Sequence, residues 1–420
     1  MRTAGSKILV SWAVYDFANT IFSAVVLTVY FPLYLTERAG ANWYLGAAST
    51  ASMVLAGLAI PFLGTLSDQT GKTKKYLILA TLMAVCFLFL LSRLQNAASL
   101  ILAFLIACFF YHAALVFYNS LLTVAAPPEK QGFASGLGTG LGYMGVVCSL
   151  PLANWVDQHF GRQSVFAASA ALFLIFSLPL FLWVPERVVE RLPSPSPLPS
   201  GERDRVRGLW QSEWKRVLET VRTLPERPEL LFFLAGNFFA VDALNATIFW
   251  LSVYVRDVFQ PGQNTLIVLL MGINATAFLG GILAGFLTDR WGAAKTLILS
   301  AGCLAGTLAL LAWTNEFRLF AALSMTGGAF AISGTWTAGR KRLVELAPAG
   351  KLGGYFGLYG LTTKVSVIGS LVFSIVADLV GMRPALRVLL FPSTVGLIFF
   401  ILSKVAQDRR KKSGLPLLFQ

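Results

Sequence analysis

The stretch GTLSDQTGKTKK at residues 64–75 has a second, partial copy, GFLTDRWG, at residues 285–292. The offset of 221 residues between the copies also aligns other positions: Lys74 with Lys295, Ala126-Pro127 with Ala347-Pro348, Gly132 with Gly353, and Asp157 with Asp378. A fixed offset held over this distance indicates an internal repeat. The sequence therefore predicts two related halves, each with one copy of the loop motif.

The composition around the two motifs is that of a membrane protein. Of the 420 residues, 56% are hydrophobic and 13% are charged, whereas a soluble domain carries about 25% charged residues. These values exclude a soluble globular enzyme and a largely disordered chain. Twelve stretches are long and apolar enough to cross a bilayer. We number them as spans one to twelve: 8–34, 42–66, 76–95, 98–122, 133–156, 164–184, 229–255, 264–288, 294–313, 318–338, 353–376 and 385–404.

The spans and the repeat together predict the architecture. We expect an all-α membrane protein with twelve transmembrane helices in two pseudo-symmetric halves of six, related by an axis along the membrane normal. The expected segments are an N-terminal half (1–184), a linker (185–228), a C-terminal half (229–404) and a basic tail (405–420). The final residues, 414–420, resemble the remnant of a protease-cleavage site, so no function is expected of them.

The linker contains two different elements. The Pro-rich run at residues 193–199 predicts a stiff, extended chain. Between Trp210 and Leu224, apolar residues then recur at helical spacing. This second element fits an amphipathic helix in the membrane interface, and it fits a solvated helix docked on the bundle equally well.

The distribution of basic residues predicts the orientation in the membrane. The net charge is +14, with 34 Lys and Arg residues. If both termini are cytoplasmic, 26 of these lie in cytoplasmic segments, 7 lie in external loops and Lys364 lies within a span. Basic residues accumulate on the cytoplasmic side of membrane proteins. We therefore expect both termini in the cytoplasm. The basic net charge then reflects the topology of the chain in the lipid bilayer, and we expect no binding of nucleic acid.

Each position of the loop motif has a physical reason. Gly64 permits close packing of helices, and Gly71 permits a tight turn with positive φ. Asp68 lies at the end of a span, where a carboxylate can cap a helix and pair with a cation. A turn that only follows the positive-inside rule, with no role in gating, remains the alternative.

The motif and its copy resemble the signature G-x-L-x-D-x-x-G-[RK]-[RK] of the major facilitator superfamily. In that family the cluster closes the cytoplasmic gate of an alternating-access transporter, and the resemblance implies the same role here. The gate residues expected on this basis are Gly64, Asp68, Gly71, Lys74, Gly285, Asp289, Arg290, Gly292 and Arg340.

Three charged residues are predicted within the membrane: Asp16 in span one, Asp242 in span seven and Lys364 in span eleven. Charges at this depth are costly, which makes them functional candidates. Since spans one and seven are pseudo-equivalent, we expect the two carboxylates to face each other, with Lys364 compensating one of them. A carboxylate could exchange a proton or hold an amino group, and Lys364 could bind an anionic group. A structural ion pair is the alternative.

Neutral polar side chains accompany these charges, and they can either bind solute or hold helices together. The candidates are Tyr15, Asn19, Asn245 and Tyr359. His112 in span four is a candidate proton relay, with helix packing as the alternative. The two His and four Cys residues provide no metal-ligand spacing. We therefore expect no metal, no cofactor and no enzymatic activity.

The opening of span one is more specific. Residues 12–22, WAVYDFANTIF, resemble the W-A-x-Y-D-F-A-N-[ST]-x-F motif of one superfamily branch, the bacterial relatives of the autophagy-related vacuolar amino-acid effluxers. This resemblance implies amino acids as solutes and export as the direction. Further matches occur around Asp242, around Arg340, and from Phe356 to Lys364.

The leading hypothesis is a monomeric secondary transporter of the bacterial inner membrane, which moves a small polar solute and couples its movement to protons. A lipid or lysolipid flippase of the same fold is the first alternative. A membrane signalling protein without transport activity is the second.

Overall fold

The computed structural model describes residues 2–31, 34–35, 57, 59, 61–186, 221–348, 351–366 and 368–412. Within these ranges nearly all of the chain is helical, and eleven helices are long and apolar enough to cross a membrane. Span two is described only at its end, where residues 61–70 are helical. The Pro-rich run, most of the predicted amphipathic segment and residues 413–420 lie outside the described residues.

The predicted all-α architecture is confirmed. The described helices of the N-terminal half are Arg2–Thr20 with its π-helical continuation Ile21–Tyr30, Thr73–Leu91, Ala97–Ser120, Gln131–Phe160 and Arg162–Trp183. Those of the C-terminal half are Pro228–Phe259, Gln263–Trp291, Ala293–Trp313, Phe317–Leu346, Leu352–Val365 with Ile368–Val380, and Met382–Val388 with Leu390–Lys412. These helices correspond to span one and to spans three to twelve.

The distribution of apolar side chains over the surface and the interior fits a protein embedded in a bilayer. Large apolar residues such as Leu182, Phe249 and Leu379 are exposed on the outer surface of the bundle, where lipid would cover them. Inside, the N-terminal half has one apolar cluster, in which Trp12 stacks on Tyr118 at 4.5 Å and donates its indole N–H to the Tyr118 carbonyl at 3.0 Å. Span one is thereby fixed against span four.

Both motif glycines adopt the predicted turn conformation. Gly71 has φ +62° and Gly292 has φ +92°, values that residues with a Cβ rarely adopt. Each glycine joins two consecutive spans, two to three and eight to nine. The prediction of a tight turn at these positions is confirmed.

Glycines also bring the two halves together. A Cβ on Gly136 of span five would overlap the carbonyl oxygen of Gly281 in span eight, and one on Gly64 would overlap that of Gly353 in span eleven. Small residues of this kind let helix backbones approach closely. These contacts lie at one end of the helix bundle. We call this end the motif face, and it contains Asp68, Asp289 and the first residues of spans five and eleven.

Two predicted helix ends were wrong, because span twelve continues past residue 404 to Lys412 and span ten is also longer than predicted. Span ten does not end at residue 338 but continues to Leu346. Arg340 and its two successors therefore belong to a helix of the bundle and not to a loop. This difference determines the partner of Asp16.

Candidate functional site

At the motif face, each motif aspartate binds the beginning of a helix in the opposite half. The Asp68 carboxylate accepts hydrogen bonds from the backbone N–H groups of Gly353 and Gly354, both at 2.9 Å. These donors are in the first turn of the helix Leu352–Val365, whose N–H groups have no partner within the helix. A carboxylate is stabilised there by the donors and by the helix dipole.

Asp289 makes the reciprocal contact. Its two carboxylate oxygens accept hydrogen bonds from the N–H groups of Gly132, at 2.8 Å, and Phe133, at 2.7 Å, in the first turn of Gln131–Phe160. Lys341 of span ten forms an ion pair with the same carboxylate at 2.6 Å. The two halves are thus joined by a pair of crossed contacts, and the motif face is closed.

Two other predicted gate residues, Lys74 and Arg290, have described contacts only within their own half. The Lys74 backbone N–H donates to the Glu186 carboxylate at 2.6 Å, a contact within the N-terminal half. The guanidinium of Arg290 is exposed and lies 5.9 Å from the ring of Phe286, one turn earlier in its own helix. Lys341, which the sequence did not single out, is the basic residue that reaches a motif aspartate.

Farther inside the bundle, Asp16 of span one pairs with Arg340 of span ten. The Arg340 Nη1 lies 2.8 Å from an Asp16 carboxylate oxygen and donates to the Thr139 hydroxyl of span five at 3.4 Å. The guanidinium also lies 5.7 Å from the ring centre of Tyr118. Gly138 borders Asp16 and stands six residues after Gly132, so the pair lies about 9 Å inward from the motif face.

Lys364 was predicted to compensate either Asp16 or Asp242, and it is not the partner of Asp16. Arg340, and not Lys364, compensates its charge, and Arg340 lies inward of the motif-face contacts rather than among them. Asp16 and Arg340 belong to different halves, and both are largely buried. Relative movement of the halves must therefore change this ion pair.

Asp242 has a different environment from its pseudo-equivalent Asp16. Both of its carboxylate oxygens accept the backbone N–H of Gly369, at 2.9 and 2.8 Å. Gly369 is the second residue of the second helix of span eleven, Ile368–Val380, and the first helix ends at Val365. The Asn245 side chain donates to the Ser366 carbonyl at 3.2 Å. The expected compensation of Asp242 by Lys364 is wrong, because Asp242 and Asn245 hold the interruption in span eleven.

Lys364 and His112 lie on helices that pack against each other across the two halves, Leu352–Val365 and Ala97–Ser120. His112 is 2% exposed, and neither ring nitrogen has a hydrogen-bond partner among the described residues. Lys364 is mostly buried and forms no ion pair or hydrogen bond with the residues described. The described part of the chain thus supplies no hydrogen-bond partner to either group.

The remaining candidate site residues differ in whether their polar groups are hydrogen-bonded. The Tyr15 hydroxyl is hydrogen-bonded to Thr81 at 2.5 Å within the N-terminal half, which accounts for its polar group. The Asn19 amide is buried with neither atom paired among the described residues, and the same holds for the Tyr359 hydroxyl. Asn19 and Tyr359 therefore remain candidates for solute contact. No cluster of His, Cys, Asp or Glu that could hold a metal occurs in the described ranges.

Comparison with known proteins agrees with this architecture. The family model described as Major Facilitator Superfamily matches residues 13–313 and 264–417. The chain belongs to the major facilitator superfamily. It is thus a member of a transporter family, and this membership accounts for the duplicated motif and the two-half fold.

Relatives of this superfamily member include an uncharacterised MFS-type transporter, YxiO, of Bacillus subtilis. The two are 25% identical over 97% of this chain and 98% of the relative. The multidrug resistance protein MdtG of Salmonella paratyphi A is 26% identical over 70% of this chain and 69% of its own length.

Solved structures share the fold at lower identity. The human organic anion transporter MFSD10 aligns with a TM-score of 0.70 and 18% identity, covering 96% of this chain and 99% of its own. The transporter FucP, in its outward conformation, aligns with a TM-score of 0.72 and 14% identity, covering 96% and 98% of the two chains.

Three residues that contact the site carboxylates or Arg340 were not predicted from the sequence: Tyr118, Thr139 and Lys341. A signal existed for Lys341, because it follows Arg340 in a helix whose apolar face continues to Leu343 and Leu346. Tyr118 and Thr139 had no comparable signal, since single aromatic and hydroxyl residues are common in membrane helices.

Proposed function

We propose that the chain acts as a single-chain secondary transporter, which moves a small polar solute across the bacterial inner membrane by alternating access. The motif face is cytoplasmic in this proposal, with both termini on the same side. The crossed contacts of Asp68 and Asp289 support it, because they join the two halves through side chain–backbone bonds that can break without unfolding either half. In the state described here, access from the cytoplasm would be closed.

The observation that carries the proposal is the Asp16–Arg340 ion pair between the halves. A buried ion pair is costly to desolvate, and removing one partner leaves an uncompensated charge. Protonation of Asp16 neutralises the carboxylate and weakens its hold on Arg340. Asp16 is therefore our candidate for proton coupling, since its ionisation state would be linked to the relative position of the halves.

The buried polar groups favour a polar solute over a lipid. Asn19 and Tyr359 have polar atoms without partners among the described residues, and such groups need hydrogen bonds that an acyl chain cannot provide. Amino acids are the first solutes to test, because the span-one motif resembles that of the amino-acid effluxers, and export is the expected direction.

The proposal can be tested in proteoliposomes that contain the full chain and a pH-sensitive dye. A panel of amino acids and other small polar solutes is added, and the internal pH is recorded. We expect at least one solute to produce a proton flux that depends on the protein. Asp16→Asn should abolish this flux while retaining exchange of labelled solute, because exchange requires no net proton movement.

Asp378→Asn is the matched control, since Asp378 is exposed and lies at the end of a helix. It should behave like the unmodified protein. Proton flux in Asp16→Asn equal to that of the unmodified protein would refute the role of Asp16. Absence of solute-dependent flux and of solute exchange across the whole panel would contradict the proposed transport function.

A further inference from the structure

His112 and Lys364 lie close together between the halves. His112 is on span four of the N-terminal half, and Cys108 precedes it by one helical turn on the same side. Val116, one turn after His112, belongs to the same buried apolar cluster as Tyr355 and Tyr359 of the helix that carries Lys364. The two helices are in direct contact. One imidazole and one ammonium therefore share a small region of the interface between the halves.

Neither group obtains an acceptor from the described parts of the chain. Both imidazole nitrogens of His112 are buried and without hydrogen-bond partners there. An ammonium group has three donors and no acceptor of its own. For the imidazole, which is almost fully buried, an unpaired nitrogen costs about 1–3 kcal/mol.

The carboxylates that could compensate Lys364 are already bound elsewhere. Asp16 pairs with Arg340 at 2.8 Å. Asp242 accepts the Gly369 N–H with both oxygens. Neither of these two carboxylates therefore serves as the acceptor for Lys364 among the described contacts.

We propose that Lys364 and His112 form an anion subsite, which binds the carboxylate group of the transported solute. This inference rests on the proposed transport function and narrows its substrate class to small solutes with a carboxylate. One ammonium carries a single positive charge, which matches a monoanionic carboxylate better than a phosphate dianion. The imidazole supplies a second donor for the other carboxylate oxygen.

The subsite also lies where solute binding could affect the transport cycle. Lys364 is followed directly by Val365, where the first helix of span eleven ends. The same helix begins at the Gly353 and Gly354 donors that bind Asp68. A carboxylate held between spans four and eleven would therefore act on the helix that Asp68 holds at the motif face.

The test compares acids with their amides on the purified full chain in detergent. Thermal unfolding is measured with increasing concentrations of leucine, alanine, glutamate, lactate and isovalerate. Each is paired with the neutral or cationic compound in which every carboxylate is a carboxamide: leucinamide, alaninamide, the diamide of glutamate, lactamide and isovaleramide. A ligand that binds the folded state raises the unfolding temperature. We expect at least one acid to do so and its carboxamide not to.

Variants then locate the effect. Lys364→Gln should weaken the apparent affinity for the stabilising acid by at least about tenfold, as expected for loss of a charged hydrogen bond. Lys364→Arg should keep it within a few-fold. Lys351→Gln is the matched control, because Lys351 is exposed at the start of the same helix. His112→Phe should weaken binding less than Lys364→Gln.

Each outcome decides between the claims. The subsite is overturned if no acid stabilises the protein, if acid and carboxamide stabilise it equally, or if Lys364→Gln binds the acid like the unmodified protein. The comparison of acid with amide needs no variant, so it holds even where a variant does not fold. Binding that depends on Lys364 without any flux in proteoliposomes would refute transport and support the subsite. Proton-coupled flux of solutes lacking a carboxylate would refute the subsite alone.

Discussion

Replacing Asp68 by Ala should open the motif face without unfolding the protein. The Asp68 carboxylate accepts two backbone N–H groups from the opposite half, each at 2.9 Å. A hydrogen bond to a charged group contributes about 1.5–3 kcal/mol net. Taking the lower value for both bonds, the closed state loses about 3 kcal/mol relative to the open state. That is about a hundredfold change in their equilibrium constant.

The loss falls on the conformational equilibrium because both donors belong to the other half. When the motif face opens, water can reach Gly353 and Gly354, so the open state loses little. Asp68→Asn should have a smaller effect, since an amide keeps one acceptor oxygen but removes the charge. Asp289→Ala should open the motif face to a similar extent, because Asp289 likewise accepts two backbone N–H groups from the opposite half.

The conformational change can be measured by double electron–electron resonance. Spin labels at Thr70 and Lys351, both exposed and close to the Asp68 contact, report the distance across the motif face in a variant whose native cysteines are replaced. Asp68→Ala should move the distance distribution to longer values, and the control Asp378→Ala should leave it unchanged. An Asp68→Ala distribution identical to that of the parent would refute this reasoning.

Three further predictions concern the buried contacts. Arg340→Gln leaves Asp16 uncompensated and should cost about 3–5 kcal/mol of stability, seen as a lower unfolding temperature, while the double variant with Asp16→Asn should recover part of the loss. Gly136→Leu should collide with the facing carbonyl of span eight and lengthen the distance across the motif face, whereas Gly302→Leu, which has open space around it, should not. Asp242→Ala removes the acceptor at the interruption of span eleven and should cost about 1–3 kcal/mol, while Asp242→Asn, which keeps one acceptor, should cost less. The prediction for Arg340 would be contradicted if Arg340→Gln were as stable as the parent. The prediction for Asp242 would be contradicted if Asp242→Ala and Asp242→Asn had the same unfolding temperature.

The repeat and the apolar spans predicted the architecture because both follow from local composition. A bilayer requires about 20 apolar residues per helix, and the fixed offset between Asp68 and Asp289 reveals the two halves. The turns at Gly71 and Gly292 were predictable for the same reason, since positive φ is a property of a single residue. The role of the motif in gating and the orientation of the termini stay predictions.

The side-chain partners could not be predicted, because they depend on how the halves pack. The basic run at residues 340–342 resembles a cytoplasmic loop, so the sequence predicts that span ten ends before it. In the structure each of the three charges has a partner from another span. Arg340 pairs with Asp16, Lys341 with Asp289, and Arg342 donates to the side chains of Gln407 and Ser403. Hydropathy cannot detect compensation of this kind.

The role of Asp242 could not be predicted from the pseudo-symmetry of the two halves. Asp16 and Asp242 occupy equivalent spans, which suggested equivalent roles. In span eleven, however, the first helix ends at Val365, and Asp242 binds a backbone N–H in the first turn of the second helix. The asymmetry arises from a neighbouring helix and leaves no trace in the sequence of span seven.

The most direct test of the central claim is to lock the motif face and measure transport. Cysteines at Thr70 and Lys351 are joined by a reducible crosslinker in proteoliposomes, and solute-dependent proton flux is recorded before and after reduction. If the contacts of Asp68 and Asp289 open during each transport cycle, crosslinking should abolish the flux and reduction should restore it. Flux that continues unchanged in fully crosslinked protein would contradict the account.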